Sequence, residues 1–278
     1  MRWPWLSLLV FTLATPTGAR AQEASGVHVG PFHWAEALRS DVRARSPFTR
    51  STFLLAPAAP LIRSAEQGFT VLASYRRDSL RQGIGALHRL EAGGLYNLRL
   101  RSDWTLNVDA RAVVASDFGH REVANWFPSL RAGATWHRDQ SLSVSLGALW
   151  TRTNFGLVPL PLLGVYYRPA GGRIRIDALL PRYVEVALLA GRSEVFISGH
   201  WETLLWRTGG DETRAFLSRM EVRAVAGLRV RLVGPLALEA SAHWTPFQRL
   251  ERGALQDSRT SLGDIGVSAA LIIDTDEP

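Results

Sequence analysis

The chain has 278 residues, of which 46% are hydrophobic, and it contains no cysteine, which excludes disulfides and cysteine-ligated metal sites. All 32 basic residues are arginines, and the formal net charge is +7. Because these arginines are spread along the chain rather than clustered, the charge does not indicate a nucleic-acid-binding surface. No nucleic-acid partner is therefore expected.

Residues 1–21 have the three parts of a secretory signal peptide. Arg2 provides the basic start, Leu6–Leu13 is an apolar stretch, and Ala19–Ala21 is a small-x-small cleavage site. The alternative is a retained membrane anchor, but the apolar stretch is shorter than the roughly 20 residues that a spanning helix needs. The sequence therefore predicts export, with the mature chain beginning at Gln22.

The next segment, residues 22–66, shows little alternation of apolar and polar residues. Trp34, Leu38 and Val42 are at helical spacing, and Ala56–Pro60 is a break in any regular pattern. This pattern predicts a short helix or plug inside the protein, or a periplasmic lead-in to the next domain.

Residues 67–273 repeatedly alternate with a period of two. Between Met220 and Val230, apolar residues occupy the even positions, and Glu221, Arg223 and Arg229 occupy three of the odd ones. Such alternation places one set of side chains on each face of a strand. The sequence predicts an all-β fold, an antiparallel transmembrane β-barrel of about twelve strands, with a tail at 274–278. The predicted strands are 67–76, 87–101, 103–114, 128–137, 140–151, 160–168, 173–180, 183–190, 194–205, 218–232, 236–246 and 262–273.

The connections between the predicted strands alternate in length. Outer-membrane barrels have short periplasmic turns and long external loops. Every backbone N–H and C=O in hydrocarbon must be paired within the protein, so repeated amphipathic strands predict a closed barrel. The lipid bilayer of the bacterial outer membrane is thus the expected surrounding. Tight turns such as Arg101–Asp103 separate longer polar loops at 77–86, 115–127, 206–217 and 247–261.

Most tryptophans of the mature chain lie near the ends of predicted strands. An indole is apolar in body and polar at one edge, which favours it at both bilayer interfaces. The alternative is a soluble periplasmic β-protein with tryptophan in a sandwich core, although a soluble core favours mid-strand positions. The predicted aromatic girdle consists of Trp104, Trp126, Trp136, Trp150, Trp201, Trp206 and Trp244.

Two segments, Val158–Pro169 (VPLPLLGVYYRP) and Arg175–Val186 (RIDALLPRYVEV), resemble a family of bacterial outer-membrane β-barrels of unknown function. In that family a Pro-rich apolar strand leads into a YRP-like turn, and a strand ending in LLP follows. The resemblance implies the fold and the compartment, and it brings no catalytic residues. It also implies the barrel-assembly machinery as a partner during insertion. Many such barrels end in an aromatic residue, whereas this chain ends at Asp274–Pro278.

The charged faces of the predicted strands are the best functional lead. If arginines line the lumen freely, they favour anions. If they pair with acids on neighbouring strands, they hold the lumen shut. About eight strands leave a filled lumen and about 16–18 leave a channel, so a twelve-stranded barrel permits a narrow pore. The lumen-lining candidates are Arg89, Glu91, Arg99, Arg111, Arg131, Arg173, Arg175, Asp177, Glu185, Arg219, Glu221, Arg223, Arg229 and Glu239.

The sequence predicts no catalytic, metal-binding or cofactor-binding residues. His200 and His243 are the best candidates for an outer-membrane hydrolase, but no nucleophile-elbow, zinc-protease or phosphate-loop motif occurs. The leading expectation is porin-like passive passage or binding of small solutes through a narrow arginine-rich lumen. The alternative is a structural or surface-interaction barrel with a closed, salt-bridged lumen, which meets a partner through loops 115–127, 206–217 and 247–261. The oligomeric state is not indicated by the sequence.

Overall fold

In a computed structural model, the described residues (35–43, 49–56, 58–64, 66–80, 86–117, 126–153, 156–207, 216–233, 236–252 and 257–273) form sixteen β-strands. No helix in these ranges is long and apolar enough to cross a membrane. The strands are β1 (Ala35–Arg43), β2 (Thr49–Leu55), β3 (Ala58–Arg63), β4 (Gln67–Leu80), β5 (Ala86–Arg101), β6 (Trp104–Ser116), β7 (Trp126–His137), β8 (Leu142–Thr153), β9 (Gly156–Tyr167), β10 (Ile174–Leu180), β11 (Tyr183–Ala190), β12 (Ser193–Arg207), β13 (Phe216–Arg231), β14 (Leu236–Arg252), β15 (Asp257–Ser261) and β16 (Asp264–Ile273).

Fourteen of the described strands close into a ring of antiparallel pairs. Consecutive strands pair from β4 to β14, β2 lies between β1 and β4, and β16 pairs with both β14 and β1. The closing pair runs from Ala35 opposite Ile273 to Arg43 opposite Gly266. β3 continues the line of β2 along β4, and β15 precedes β16 along β14. The predicted antiparallel all-β barrel is confirmed, with fourteen strands in the ring instead of about twelve.

All the strands predicted between residues 67 and 273 are present, as β4–β14 and β16. The two additional ring strands, β1 and β2, come from the segment 22–66. For residues 35–43 the prediction of a helix or plug is wrong, because positions four apart, such as Leu38 and Val42, share one face in a strand as well as in a helix. The predicted signal peptide 1–21 and the tail 274–278 lie outside the described residues.

The two ends of the barrel differ in their connections. The turn end carries the tight turns at 102–103, 138–141, 168–173 and 191–192, together with the described chain ends Ala35 and Ile273. The opposite end is called the loop end. The predicted loop 247–261 is largely wrong, because β14 runs to Arg252 and β15 occupies 257–261, which makes an extended hairpin there.

The two faces of the barrel wall have opposite character. On β16, for example, Asp264, Ser268 and Ile272 are buried, whereas Ile265 and Val267 are 51% and 60% exposed. Every one of the fourteen ring strands carries at least one large exposed hydrophobic side chain. The period of two thus separates an apolar outer surface from a polar interior in which charged residues are buried.

Candidate functional site

Buried ion pairs hold β1 against β13 inside the barrel. Arg43 on β1 donates to both carboxylate oxygens of Glu221 on β13 at 2.8 Å, although β16 and β14 lie between these strands in the ring. Glu221 also accepts a hydrogen bond of 2.6 Å from Arg223. The guanidinium of Arg223 lies 3.3 Å from Asp41 on β1. Such buried, bidentate pairs fix the geometry of both side chains.

Two further ion pairs connect β4 with the opposite wall. Arg76 donates to Glu202 on β12 at 2.6 Å, and Arg219 on β13 donates to Asp78 at 3.2 Å. The shorter way around the ring from β4 to β12 passes β2, β1, β16, β14 and β13. These contacts therefore do not join neighbouring strands. Side chains meet across the lumen, so the interior is narrow at this level.

A second group of charges occupies the interior beside β10–β14. Arg175 donates to Glu185 and Glu194, with 2.9 Å to the latter. Arg229 lies 3.1 Å from Glu194 and 2.9 Å from Glu239. Each of these side chains is buried. These five side chains thus form one connected cluster, and all of them except Glu194 are predicted lumen residues.

A third group lies on β5, β6 and β7. Glu91 accepts from Arg89 on the same strand and from Arg111 at 3.2 Å. Asp109 accepts from Arg111 at 2.7 Å and from Arg131 at 2.8 Å. The pairs of Arg111 with Glu91 and of Arg131 with Asp109 join neighbouring strands on the inner face, as expected for cross-strand contacts.

The remaining predicted lumen residues are Asp177, Arg99 and Arg173. Asp177 is buried and accepts a hydrogen bond of 2.9 Å from the hydroxyl of Tyr183. Arg99 donates to two backbone carbonyls of the β5–β6 turn. Arg173 does not lie on the barrel wall. It is exposed in the turn before β10.

Positive and negative charges balance within the described ion pairs of the interior. Ten arginines and ten acids take part, so this set has no net charge and does not create a strong field for anions. The arginines are 39, 43, 76, 89, 111, 131, 175, 219, 223 and 229, and the acids are Asp41, Asp78, Glu91, Asp109, Glu185, Glu194, Glu202, Glu221, Glu239 and Asp264.

An apolar layer packs inside the barrel at the loop end. Its members point inward from the strand ends next to the loops, and they contact one another across the barrel. Because inward-facing side chains of six strands pack together there, little space remains for water. The layer consists of Leu87, Val113, Ala115, Phe127, Leu204, Trp206, Leu217 and Leu250.

Trp206 belongs to this layer and not to the aromatic girdle, so its assignment to the girdle is wrong. Its side chain is 1% exposed, and the guanidinium of Arg219 lies 5.5 Å from its ring centroid. Trp206 has the same parity along β12 as Glu202, which faces the interior. Counting in steps of two from Glu202 would have placed it correctly.

The backbones of two distant strands also meet at the loop end. Arg207 at the end of β12 forms a parallel bridge with Ser116 at the end of β6. In the ring these strands are separated by β7–β11 on one side. The barrel is therefore pinched directly beside the apolar layer.

The other predicted girdle residues lie on the outer surface. Trp126 and Trp244 are 66% and 52% exposed, and Trp104 is 39% exposed. Trp104 pairs in register with Trp136 at the turn end. Two members, Trp150 and Trp201, lie on β8 and β12 toward the loop end.

Neither candidate hydrolase histidine lies on the outer face of the barrel. His200 shares a hydrogen bond of 2.8 Å with Ser198 and stacks on Tyr183. His243 is 3% exposed and lies 3.4 Å from Asp41. Within the described ranges, no group of three or more His, Asp or Glu residues is arranged to hold a metal ion.

The interior charges that were not among the sequence candidates include Asp41, Arg43, Arg76 and Asp78. The first two lie on β1, where Arg39 extends their period of two. Arg76 and Asp78 lie at the end of β4, beyond or at the limit predicted for that strand. Their alternation was a usable signal in both places.

Neither a protein-family model nor a curated protein matches this chain. Among solved structures it is similar to LpxR from Salmonella typhimurium (9% identity, 85% of this chain and 99% of that one, TM-score 0.38). It is also similar to the NanC porin (8% identity, 85% and 98%, TM-score 0.37). A third is the alcaligin outer-membrane receptor FauA from Bordetella pertussis (13% identity, 88% and 41%, TM-score 0.29). These values are too low to transfer a function, and the fold assignment depends on the strand register alone.

Proposed function

We propose that this chain is an integral protein of the bacterial outer membrane and that its barrel is a closed structural or surface-interaction barrel. The membrane location is supported by the outer surface, where all fourteen ring strands expose large hydrophobic side chains. Monomeric soluble proteins rarely expose a contiguous apolar surface of more than a few hundred Å². A closed ring also leaves no open sheet edge in hydrocarbon.

The closure of the loop end carries the functional part of the proposal. The apolar layer, the bridge between Arg207 and Ser116, and the ion pairs across the lumen lie at or below the same end. A solute would have to separate all three. Passive passage has less support, because the interior arginines are paired with an equal number of acids instead of facing a channel.

The membrane location is tested with the mature protein extracted in detergent. We expect the protein to run at different positions on a gel with and without boiling, because a folded barrel resists the detergent of the gel. We also expect it to float with lipid vesicles on a density gradient. A mature protein that stays monodisperse in plain buffer contradicts the proposal.

Closure is tested by planar-bilayer recordings of the same preparation. We expect no stepwise current at any applied voltage, since the apolar layer and the ion pairs exclude a continuous water path. Co-flotation with vesicles of the same lipid shows that the protein has inserted, so a silent trace is informative. Reproducible steps of constant conductance would restore the pore hypothesis.

In this proposal, the surface that meets a partner lies at the loop end of the barrel. Deleting residues 118–125 or 208–215 removes the middle of the predicted loop 115–127 or 206–217 without touching a described strand. A barrel whose role is surface interaction loses its cellular phenotype with these deletions, while its gel shift is kept. An unchanged phenotype with both loops deleted counts against this role.

A further inference from the structure

A cavity of about 700 Å³ lies at the turn end, between the turns that follow β7, β9 and β11. Tyr166 and Leu189 line it from the inner faces of β9 and β11, and Arg168 and Arg173 line it from the β9–β10 turn. Both arginines are exposed, so the cavity opens to solvent. Its volume is in the range of small-molecule sites, about 300–1,000 Å³.

The two arginines of this cavity differ from those deeper in the barrel. Every interior arginine of the ion-pair groups has a carboxylate partner. Within the part of the chain that the structure describes, the guanidinium groups of Arg168 and Arg173 have no ion pair and no hydrogen bond. Their backbones are nevertheless fixed, because the N–H of Arg168 donates to Ser141 and the carbonyl of Arg173 accepts from Leu189.

No acid lines the cavity to neutralise these two charges. The nearest carboxylate along the chain is Asp139, in the turn beside Ser141. One oxygen of Asp139 accepts from the Ser141 hydroxyl and from the backbone N–H groups of Ser141 and Leu142. These hydrogen bonds lower the pKa of Asp139 below its usual value, and the bond from the Ser141 hydroxyl has the largest effect. Asp139 is thus engaged in its own turn.

We propose that this cavity binds a small organic molecule that carries a phosphate group. Two guanidinium forks match the oxygens of phosphate, and the side-chain amide of Gln140 adds a donor. The cavity is much larger than a bare phosphate ion, and Pro169 and Leu189 provide apolar contact for an organic part. The ligand is either a soluble organic phosphate or the phosphate headgroup of a phospholipid.

The site is tested in the full mature protein with the double variant Arg168→Gln/Arg173→Gln. The matched control is Arg138→Gln/Arg192→Gln, which removes two exposed arginines from neighbouring turns at the same end without lining the cavity. Isothermal titration calorimetry with glycerol 3-phosphate tests for a soluble ligand, with glycerol as the uncharged comparison. Native mass spectrometry after extraction from phosphatidylglycerol or phosphatidylcholine nanodiscs counts retained lipids for the second arm.

We expect the wild type and the control to bind alike and the cavity variant to bind about 100-fold more weakly, since each arginine supplies charge-assisted hydrogen bonds. Saturable binding of glycerol 3-phosphate points to a soluble ligand, and retained phosphatidylglycerol lost only in the cavity variant points to a lipid. Equal binding by both variants, or none in either arm, overturns the proposal. Binding of glycerol 3-phosphate does not depend on membrane insertion or on a closed barrel. A failure of the phosphate-site proposal can therefore be distinguished from a failure of the proposed function.

Discussion

Replacing Glu221 by glutamine is expected to lower the free energy of unfolding by about 3–5 kcal/mol, the usual cost of breaking a buried ion pair from one side. Glu221 is 2% exposed. It accepts two hydrogen bonds from Arg43 and two from Arg223, and Arg219 lies 3.7 Å away. Glutamine keeps the size of the side chain but leaves three guanidinium groups close together without the central negative charge.

The matched control is Glu251→Gln on the neighbouring strand. Glu251 contacts Arg249 at 2.7 Å, but these side chains are 29% and 44% exposed. An exposed pair of this kind contributes about 0–1 kcal/mol. Urea unfolding from lipid vesicles, followed by tryptophan fluorescence, compares the two variants. If the free energy of unfolding falls by the same small amount in both variants, water reaches Glu221 as freely as Glu251, and the interior is not closed.

The strands themselves could be predicted because a period of two is a local property of the sequence. Apolar and charged residues alternate along β5 and β13 so regularly that the strands and the direction of their faces follow from counting. The same rule fails at β1, because Leu38 and Val42 fit a helix and a strand equally well. There the alternating charges of Arg39, Asp41 and Arg43 carry the information, and it becomes readable only once a lumen for them is assumed.

The pairing inside the lumen could not be predicted, because it depends on the shape of the closed barrel. A count of charged residues leaves open whether arginines line water or meet acids. Arg76 reaches Glu202, a residue 126 positions away, only because the ring is narrow enough for opposite walls to touch. Neighbouring-strand pairs, such as Arg131 with Asp109, are set by register and are closer to prediction from sequence.

The loop end shows a similar limit at Trp206. A tryptophan near a strand end is typical of a bilayer interface, and the six predicted girdle residues other than Trp206 fit that rule. Trp206 does not, because its side chain is buried inside the barrel where the end of β12 meets the end of β6. Parity gives the direction of the side chain. It does not show that the strand leans across the opening.

Introducing cysteines at Ser116 and Arg207 is expected to join β6 and β12 by a disulfide under mild oxidation. Adjacent strands lie about 4.7–4.9 Å apart, within the Cα separation of about 4.4–6.8 Å that a disulfide spans. The two residues are bridge partners, and the chain has no cysteine of its own. A mobility change on a non-reducing gel, reversed by reductant, reports the contact.

The control pairs Ser116→Cys with Thr203→Cys, four positions earlier on β12 and exposed on its outer face. At about 3.3 Å per residue along a strand, this cysteine lies too far from Ser116 to react when the barrel is pinched as described. The first pair is expected to cross-link nearly completely and the control pair hardly at all. Equal cross-linking would mean that the loop end is mobile, and no cross-linking in either would mean that β12 stands clear of β6. In both cases the pinched barrel fails as an explanation for closure, because the apolar layer depends on the same approach of the two walls.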